Sequence, residues 1–237
     1  MSDINTHETK YLLCLMDVLG FENLFSKYGL QDIYHKYGQI ILSAQKEKIT
    51  GLRFFGQNGA SFFNYKFDFA YFSDTIILWG QYDLQNLDFI SNSLEEMICC
   101  SIEIGLPLRG AISVGEHIIE KNSGIYLGQP IISAARAERS QEWIGITFSK
   151  EFSQKPLCND LNSINVLQYE KHIKDNCKDK VVPFVIDYPR HWKRTRQNSI
   201  ENAIQALNTD SEHSTYYQNT IDFVEFSEDY HNENMLP

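Results

Sequence analysis

Apolar and polar positions follow strand and helix periods in turn along the first third of the chain. Residues 11–18 form an apolar run broken late by a single acid, which predicts a central strand buried on both faces. Beyond Gly20, apolar residues return at helical spacing over 21–28. Gly29 interrupts this pattern, and a second helical pattern covers 33–41. The segment therefore predicts a buried strand, a tight turn and two helical stretches.

The next segment predicts a hairpin whose tip carries an acid. Two β-rich runs flank Ser73 and Asp74, which is typical of two strands joined by a short turn. A Gly-rich stretch over 51–61 precedes them and predicts a loop. A long helical pattern over 84–104 and an alternating strand over 106–114 follow.

The remainder predicts a hairpin arm that ends at Gly128, then one short helix, three strands and two tail helices. These elements cover 129–139, 144–148, 165–169, 181–186, 200–207 and 215–226. The order favours an α+β fold, a sheet covered by helices on one face, and a ferredoxin-like βαββαβ core is its simplest version. We expect a polar tail over 1–10, a core over 11–150 and a C-terminal extension over 151–237.

Composition limits the class of protein. With 237 residues, 43% hydrophobic and 13% aromatic, the chain has ample material for a core. A formal net charge of -10 disfavours nucleic acid as a partner. The five cysteines show no CxxC spacing, the start of the chain is polar, and no apolar run reaches the length of a membrane span. We therefore expect a cytoplasmic protein with no membrane partner.

Two acids at the ends of apolar strands are the strongest chemical signal. Asp17 closes the first strand and Asp74 stands between two others, and a buried carboxylate costs free energy unless its charge is compensated. Hard oxygen ligands of this kind suit Mg²⁺ or Mn²⁺ on a triphosphate, which indicates phosphoryl chemistry. Taken singly, each Asp is also an ordinary turn or N-cap residue. HExxH, Walker-type and GxSxG motifs do not occur in the sequence.

Four short motifs in register carry a family resemblance. They are Asp17–Phe21, Ser73-Asp74, Leu108–Gly115 and Gly128–Glu138. Over residues 11–150 their order and spacing resemble the class III nucleotide cyclases, which implies the ferredoxin-like βαββαβ sandwich of the adenylate/guanylate cyclase catalytic domain, here with a C-terminal extension. The whole chain more closely resembles the bacterial pyrimidine cyclases of Pycsar antiphage defence, including Asp-Tyr-Pro-Arg-His-Trp at 187–192.

The resemblance implies a role for each motif residue. It makes Asp17, Asp74 and the Val18 carbonyl the ligands of two Mn²⁺ or Mg²⁺ ions. It places phosphate contacts at Arg109 and at the backbone N–H groups of Leu19, Gly20 and Phe21. Arg136 would stabilise the transition state at the reacting phosphorus. In this family the metal half-site and the helix Arg come from different subunits, which implies a homodimer.

The departures from the family bear on the substrate. In purine cyclases of this family, one side chain orients the ribose and two others recognise the base. The corresponding positions in this chain are Ile132 for the ribose, and Ala70 and Ile125 for the base. This weakens a purine substrate. The resemblance to the Pycsar cyclases implies a pyrimidine nucleoside triphosphate, UTP ahead of CTP. The candidate base contacts near the second Asp are Lys66, Asp68, Phe69 and Tyr71.

The sequence thus predicts a uridylate or cytidylate cyclase that releases pyrophosphate and makes a second messenger for antiphage defence. A catalytically degenerate nucleotide-binding module and a purine cyclase remain as alternatives. The basic cluster Arg190–Arg196 is open to two interpretations, a solvated face or a lid over phosphates.

Overall fold

A seven-stranded sheet organises the molecule. The computed structural model describes residues 10–50, 67–120, 123–208 and 212–234, with the backbone alone for 46–50. The strands are β1 (Tyr11–Val18), β2 (Phe67–Phe72), β3 (Thr75–Gln81), β4 (Leu108–Gly115), β5 (His117–Glu120), β6 (Ile125–Gly128), β7 (Gly145–Ser149), β8 (Val166–Gln168) and β9 (Val181–Ile186). The sheet order is β2-β3-β1-β4-β7-β9-β8, and β5 and β6 form a separate hairpin. The pairing of β4 with β7 is parallel and the other pairings in these strands are antiparallel.

Helices cover both faces of this sheet, not one face as the order of elements predicts, because both faces of its central strand are apolar and need cover. They are α1 (Phe21–Thr50), α2 (Leu84–Ile104), α3 (Gln129–Arg139), α4 (Lys155–Leu161), α5 (Tyr188–Thr195), α6 (Ile200–Leu207) and α7 (Ser214–Asn234). Short 3-10 turns stand at Lys150–Ser153 and Asp175–Lys180. Among the described residues, no helix combines the length and apolar character that crossing a membrane requires.

β1 is buried on both faces, as its apolar run predicts, and its alternate residues meet different layers. Leu12 and Met16 belong to the large core cluster that also contains residues of α1 and α2. Leu13 and Leu15 instead pack in a second cluster with Ala134 of α3. We call these two sides of the sheet the helical face and the α3 face. Each large side chain buried in this way contributes about 1.5–3 kcal/mol.

The long helix α1 is bent at Gly29. This glycine has φ 75° and ψ 170°, a backbone conformation that ends one helical stretch before the next begins. The break that the sequence predicts between 21–28 and 33–41 is therefore present. α2 is delimited by ordinary caps, since Asp83 accepts a hydrogen bond from the Asn86 N–H and Gly105 follows in the left-handed region.

The predicted α+β class is confirmed, and the differences fall mainly in the C-terminal extension. α4 and α5 are helices that the apolar pattern did not predict, because at 7 and 8 residues both are too short to show a helical repeat. The last helix, α7, extends to Asn234, beyond the predicted end at 226. The extension also supplies β8 and β9 to the main sheet, so it shares the core rather than lying outside it. The predicted loop over 51–61 lies outside the described residues.

Candidate functional site

The two predicted acids lie at the same end of neighbouring strands. In the β1–β3 pairing Asp17 stands opposite Thr75, the residue after Asp74. The Val18 N–H donates to the Asp74 carbonyl across 3.0 Å, so the backbones of both predicted ligand segments are joined. Both Asp side chains are half-buried. Two carboxylates 57 positions apart in sequence are thus brought to one edge of the sheet.

The charge at this edge is predominantly negative. The pKa of Asp17 is raised to about 7, first by burial and then by the negative charges of Glu138 and Asp74. Arg109 and Arg139 act in the opposite direction but do not offset these effects. The excess of negative charge favours a bound cation, because a cation would relieve the repulsion between the carboxylates.

A tight loop connects β1 to the start of α1. Gly20 has φ 71°, in the left-handed region, and a side chain here would also meet the His213 ring 3.4 Å away. The Leu19 N–H donates to the Pro107 carbonyl at 2.9 Å, so a phosphate contact at Leu19 would require that bond to break. Phe21 is the first residue of α1, where N–H groups have no partner within the helix. Of the predicted phosphate-binding loop, Gly20 and Phe21 are better placed than Leu19 to donate to an anion.

Arg109 is enclosed by protein groups. It stands opposite Asp17 in the β1–β4 pairing. Its Nε donates to Glu138 Oε1 at 2.6 Å, its Nη2 also pairs with Glu138, and its Nη1 donates to the Gln141 carbonyl at 3.2 Å. The Tyr216 ring lies 5.6 Å from the guanidinium carbon. Phosphate binding by Arg109 stays a prediction, and it would require the guanidinium to share or exchange the Glu138 carboxylate.

Arg136 has the opposite environment. It lies on α3, between the buried Ala134 and Ala137, and its own side chain is exposed. It has no hydrogen bond or ion pair with another described residue. Ile132, one turn earlier, is also exposed, at 48%. The predicted transition-state Arg is therefore accessible from outside the chain rather than directed into a formed cavity.

The four base candidates divide between the two faces of the sheet. Phe69 packs with the core of the helical face, and the Tyr71 ring lies against Tyr37 of α1. Asp17 is on the α3 face, so Phe69 and Tyr71 are on the other side of the sheet from it. Asp68 is exposed on β2, and by strand alternation it belongs to the α3 face. Lys66 lies outside the described residues.

Four further residues contribute to the site although no sequence motif assigns them a role there. Glu138 is buried at 3% exposure and holds Arg109. His213 and Tyr216, from the C-terminal extension, lie against Gly20 and Arg109 respectively. Tyr37 donates from its hydroxyl to the Ser73 carbonyl at 2.9 Å. Glu138 could have been found as a buried acid beside a helix Arg, whereas the other contacts depend on tertiary packing alone.

The donor set fits a divalent cation that is held jointly with a nucleotide. Asp17, Asp74 and the Val18 carbonyl are oxygen donors, the type that Mg²⁺ and Mn²⁺ take. In the part of the chain that the structure describes, no group of three or more His, Cys, Asp or Glu side chains converges on one point. A cation here would therefore complete its coordination with phosphate oxygens and water, as Mg²⁺ usually does.

The basic cluster Arg190–Arg196 is engaged with α2. His191 lies 2.8 Å from Glu96 and 3.2 Å from Glu95, and Arg196 Nη1 pairs with Glu96 at 2.6 Å. Arg196 Nη2 lies 3.1 Å from Glu103. These ion pairs join α5, and Arg196 directly after it, to α2.

Comparisons with known proteins give a likeness of fold. No protein-family model matches the chain, and no curated protein matches it. One similar solved structure is that of a bacterial light-regulated adenylyl cyclase, with 9% identity, a TM-score of 0.49 and coverage of 84% of this chain. The chain spans 56% of that protein's length.

A second similar structure is the catalytic core of a rhodopsin-guanylyl cyclase with converted specificity, in complex with ATPαS. The identity is 10%, the TM-score is 0.50, and the match covers 76% of this chain and 95% of the other. At this identity the likeness establishes the fold alone. It confirms the predicted α+β architecture of a cyclase catalytic domain.

Proposed function

We propose that this protein is a nucleotide cyclase that converts a pyrimidine nucleoside triphosphate to its 3′,5′-cyclic nucleotide and pyrophosphate. The observation that carries the proposal is the meeting of Asp17 and Asp74 at one edge of the sheet, joined by the bond from Val18 to the Asp74 carbonyl. The raised pKa of Asp17 supports it, because excess negative charge at a strand end is costly unless a cation is bound there in the working state.

Cyclisation requires the chain to hold and orient the charged groups that react. The ribose O3′ attacks the α-phosphorus, the bond to the bridging oxygen of pyrophosphate breaks, and the hydroxyl proton is lost. Asp17, Asp74 and the Val18 carbonyl would hold two Mn²⁺ or Mg²⁺ ions, which when bound activate the hydroxyl and neutralise the phosphates. The N–H groups of Gly20 and Phe21 would orient the triphosphate at the start of α1.

Arg136 would act in the site of a second subunit. Its guanidinium is exposed and has no partner among the described residues, which supports a role outside its own chain. An Arg at the transition state of phosphoryl transfer increases the rate by about 10³–10⁵ in comparable systems. A homodimer with two equivalent sites at its interface would bring Arg136 of each chain to the acids of the other.

Three apolar positions support a pyrimidine base. Ala70, Ile125 and Ile132 stand where purine cyclases carry the side chains that read the base and position the ribose, and none of the three can form a side-chain hydrogen bond. Asp68 remains the best-placed described candidate for a base contact, since it is exposed on β2. We favour UTP over CTP, and antiphage defence as the setting, on the resemblance to Pycsar cyclases alone.

Product analysis tests the proposal. The chain is incubated separately with ATP, GTP, CTP and UTP in the presence of Mn²⁺, and the products are separated by chromatography. We expect cyclic UMP or cyclic CMP with stoichiometric pyrophosphate. A cyclic product from ATP or GTP alone would contradict the pyrimidine substrate. If none of the four yields a cyclic product, the cyclase is refuted, and the alternative that remains is a nucleotide-binding module without turnover.

Mixing two inactive variants tests the shared site. Asp17→Ala removes a carboxylate and Arg136→Ala removes the guanidinium, so each homodimer lacks one part of both sites. A mixed dimer would contain one intact site, and we expect up to about a quarter of wild-type activity at equal mixing, because half of the dimers are mixed and each has one site. The measurement is cyclic nucleotide formed per chain after the two variants are mixed. Absence of any recovery would exclude the arrangement in which the acids and Arg136 come from different chains.

A further inference from the structure

The turn that carries Asp74 has an unusual backbone. Ser73 has φ 55°, and Ser73 and His172 are the two residues other than glycine with positive φ within the described ranges. Phe72 pairs with Thr75, so Ser73 and Asp74 form a two-residue connection between β2 and β3. Glycine is usual where such a turn needs positive φ, and Ser73 adopts this conformation at a cost in free energy. Something around the turn must hold Ser73 in place.

Consecutive carbonyls of the turn are held from two directions. The Ser73 carbonyl accepts from the Tyr37 hydroxyl at 2.9 Å, and the Asp74 carbonyl accepts from the Val18 N–H at 3.0 Å. The first bond comes from α1 on the helical face and the second from β1 in the sheet. Together they restrain the backbone on both sides of the Asp74 Cα.

Tyr37 also contacts the start of α1. Its side chain is almost fully buried, at 5% exposure. Its ring meets Phe21 edge-on, with centroids 6.5 Å apart and planes at 89°, and lies 6.3 Å from the Tyr71 ring. Burial raises the pKa of Tyr37, and the charges of Asp74 and Asp17 add to this, so the hydroxyl keeps its proton and remains a donor. One side chain therefore contacts both the phosphate loop and the Asp74 turn.

We propose that Tyr37 is a positioning residue for the metal site, one that holds Ser73 in its left-handed conformation and so directs the Asp74 carboxylate toward Asp17. The inference rests on the proposed function for the role of the two acids as cation ligands. It adds that the geometry of this pair is set from the helical face of the sheet, by a residue that does not itself touch the cation.

Tyr37→Phe tests the inference because it removes the hydroxyl and keeps the ring. Mn²⁺ binding is measured by electron paramagnetic resonance, with and without 3′-deoxyuridine triphosphate, which lacks the attacking hydroxyl. Asp74→Asn supplies the background binding that does not depend on the acid pair. We expect Mn²⁺ affinity about tenfold weaker in Tyr37→Phe, as is typical when a group that orients a ligand is lost.

Enzyme kinetics separate positioning from general loss of structure. If Tyr37 orients the turn, the Mn²⁺ concentration at half-maximal rate rises about tenfold while kcat at saturating Mn²⁺ stays within about twofold of wild type, because the bound cation then holds the turn itself. A variant that merely unfolds a fraction of the protein would lower kcat and leave the Mn²⁺ midpoint unchanged.

Tyr188→Phe is the matched control. It removes the same type of bond, a buried Tyr hydroxyl that donates to the Ile144 carbonyl at 2.9 Å, in a part of the core without the two acids. We expect it to lower the unfolding temperature and to leave Mn²⁺ affinity unchanged.

The outcomes distinguish this inference from the proposed function. Equal Mn²⁺ affinity in wild type and Tyr37→Phe would overturn the positioning role, as would wild-type binding that does not exceed the Asp74→Asn background. Weaker binding in Tyr37→Phe together with no cyclic product from wild type would support the positioning role and refute the cyclase.

Discussion

Two regions of this molecule contain partly or fully buried aspartates, and their surroundings differ in kind. At the acidic edge, defined here as Asp17 and Asp74, the neighbouring charge is mainly negative and the pKa of Asp17 is raised to about 7. In the clamp, defined here as residues 187–192, Asp187 is fully buried and accepts from Ser227 at 2.7 Å. It also lies 2.6 Å from His231 Nε2. At the acidic edge, negative charges repel one another, whereas the buried Asp187 carboxylate of the clamp has hydrogen-bonding partners.

The other polar side chains of the clamp also have partners within the chain. The Tyr188 hydroxyl donates to the Ile144 carbonyl, the His191 ring lies between Glu95 and Glu96, and the Trp192 indole donates to the Asn198 carbonyl at 2.8 Å. These bonds join α5 to α2, α7 and the chain before β7. The charges of the clamp are therefore partnered within the chain, whereas the acidic edge combines two carboxylates with an excess of negative charge, as the proposed cation site would require.

The comparison predicts its largest effect for Asp74→Asn. On the proposed function Asp74 holds a metal ion, and its loss would remove several kcal/mol of transition-state stabilisation, so we expect cyclase activity to fall about 10³-fold or more. The free energy of unfolding should stay equal or rise, because the substitution removes a like charge next to Asp17. Product formation and urea unfolding measure the two effects. A variant that loses both activity and stability would place Asp74 among the structural acids.

For Asp187→Ala we expect the opposite result, a loss of stability with little change in activity. Truncation leaves the buried Ser227 hydroxyl without its acceptor and His231 without its carboxylate, so we expect the free energy of unfolding to fall by about 3 kcal/mol. Activity per folded molecule should stay within about twofold of wild type, since Asp187 belongs to the clamp. Urea unfolding gives the first quantity, and activity normalised to the folded fraction gives the second. A large loss of activity in fully folded protein would mean that the clamp acts on the site.

The sequence predicts the acidic edge better than the clamp for a physical reason. Asp17 ends an apolar strand and Asp74 sits at a hairpin tip, and both positions follow from local periodicity and turn chemistry. The pairing of β1 with β3 then brings the two acids to one edge of the sheet. Most contacts of the clamp instead join residues 40 or more positions apart, such as Ser227 with Asp187 and His191 with Glu96. No local pattern encodes such pairings.

The same limit explains the unequal outcome among the base candidates. Distance along the chain from Asp74 selects Phe69 and Tyr71 together with Asp68, but the two-residue period of β2 sends them to opposite faces. Two partners of Arg109, Gln141 and Tyr216, could not be predicted either, because only the packing of the folded chain brings them to the guanidinium.

The smallest effect we predict concerns pH and again separates the two regions. Burial lowers the pKa of His191, but hydrogen bonds and charge from Glu95 and Glu96 outweigh it and raise the pKa to about 9. Protonated His191 therefore stabilises the fold fully below pH 6.5, and this contribution is lost as pH rises to about 9. The raised pKa of Asp17 acts in a lower window, since its protonated form is favoured and stability falls as pH rises from about 4 to about 7.

Each of two substitutions should remove one of these pH-dependent changes in stability. His191→Gln should remove the change above pH 6.5, and Asp17→Asn the change below pH 7. Between pH 6.5 and 9 we expect wild type to lose about 1–2 kcal/mol of unfolding free energy through His191, and His191→Gln to show a flatter profile there. Asp17→Asn should keep that loss and flatten the profile between pH 4 and 7. Urea unfolding at pH intervals in metal-free buffer measures both. If His191→Gln retains the full loss above pH 6.5, the ring is not charged between the two glutamates, and the clamp does not owe its strength to that ion pair.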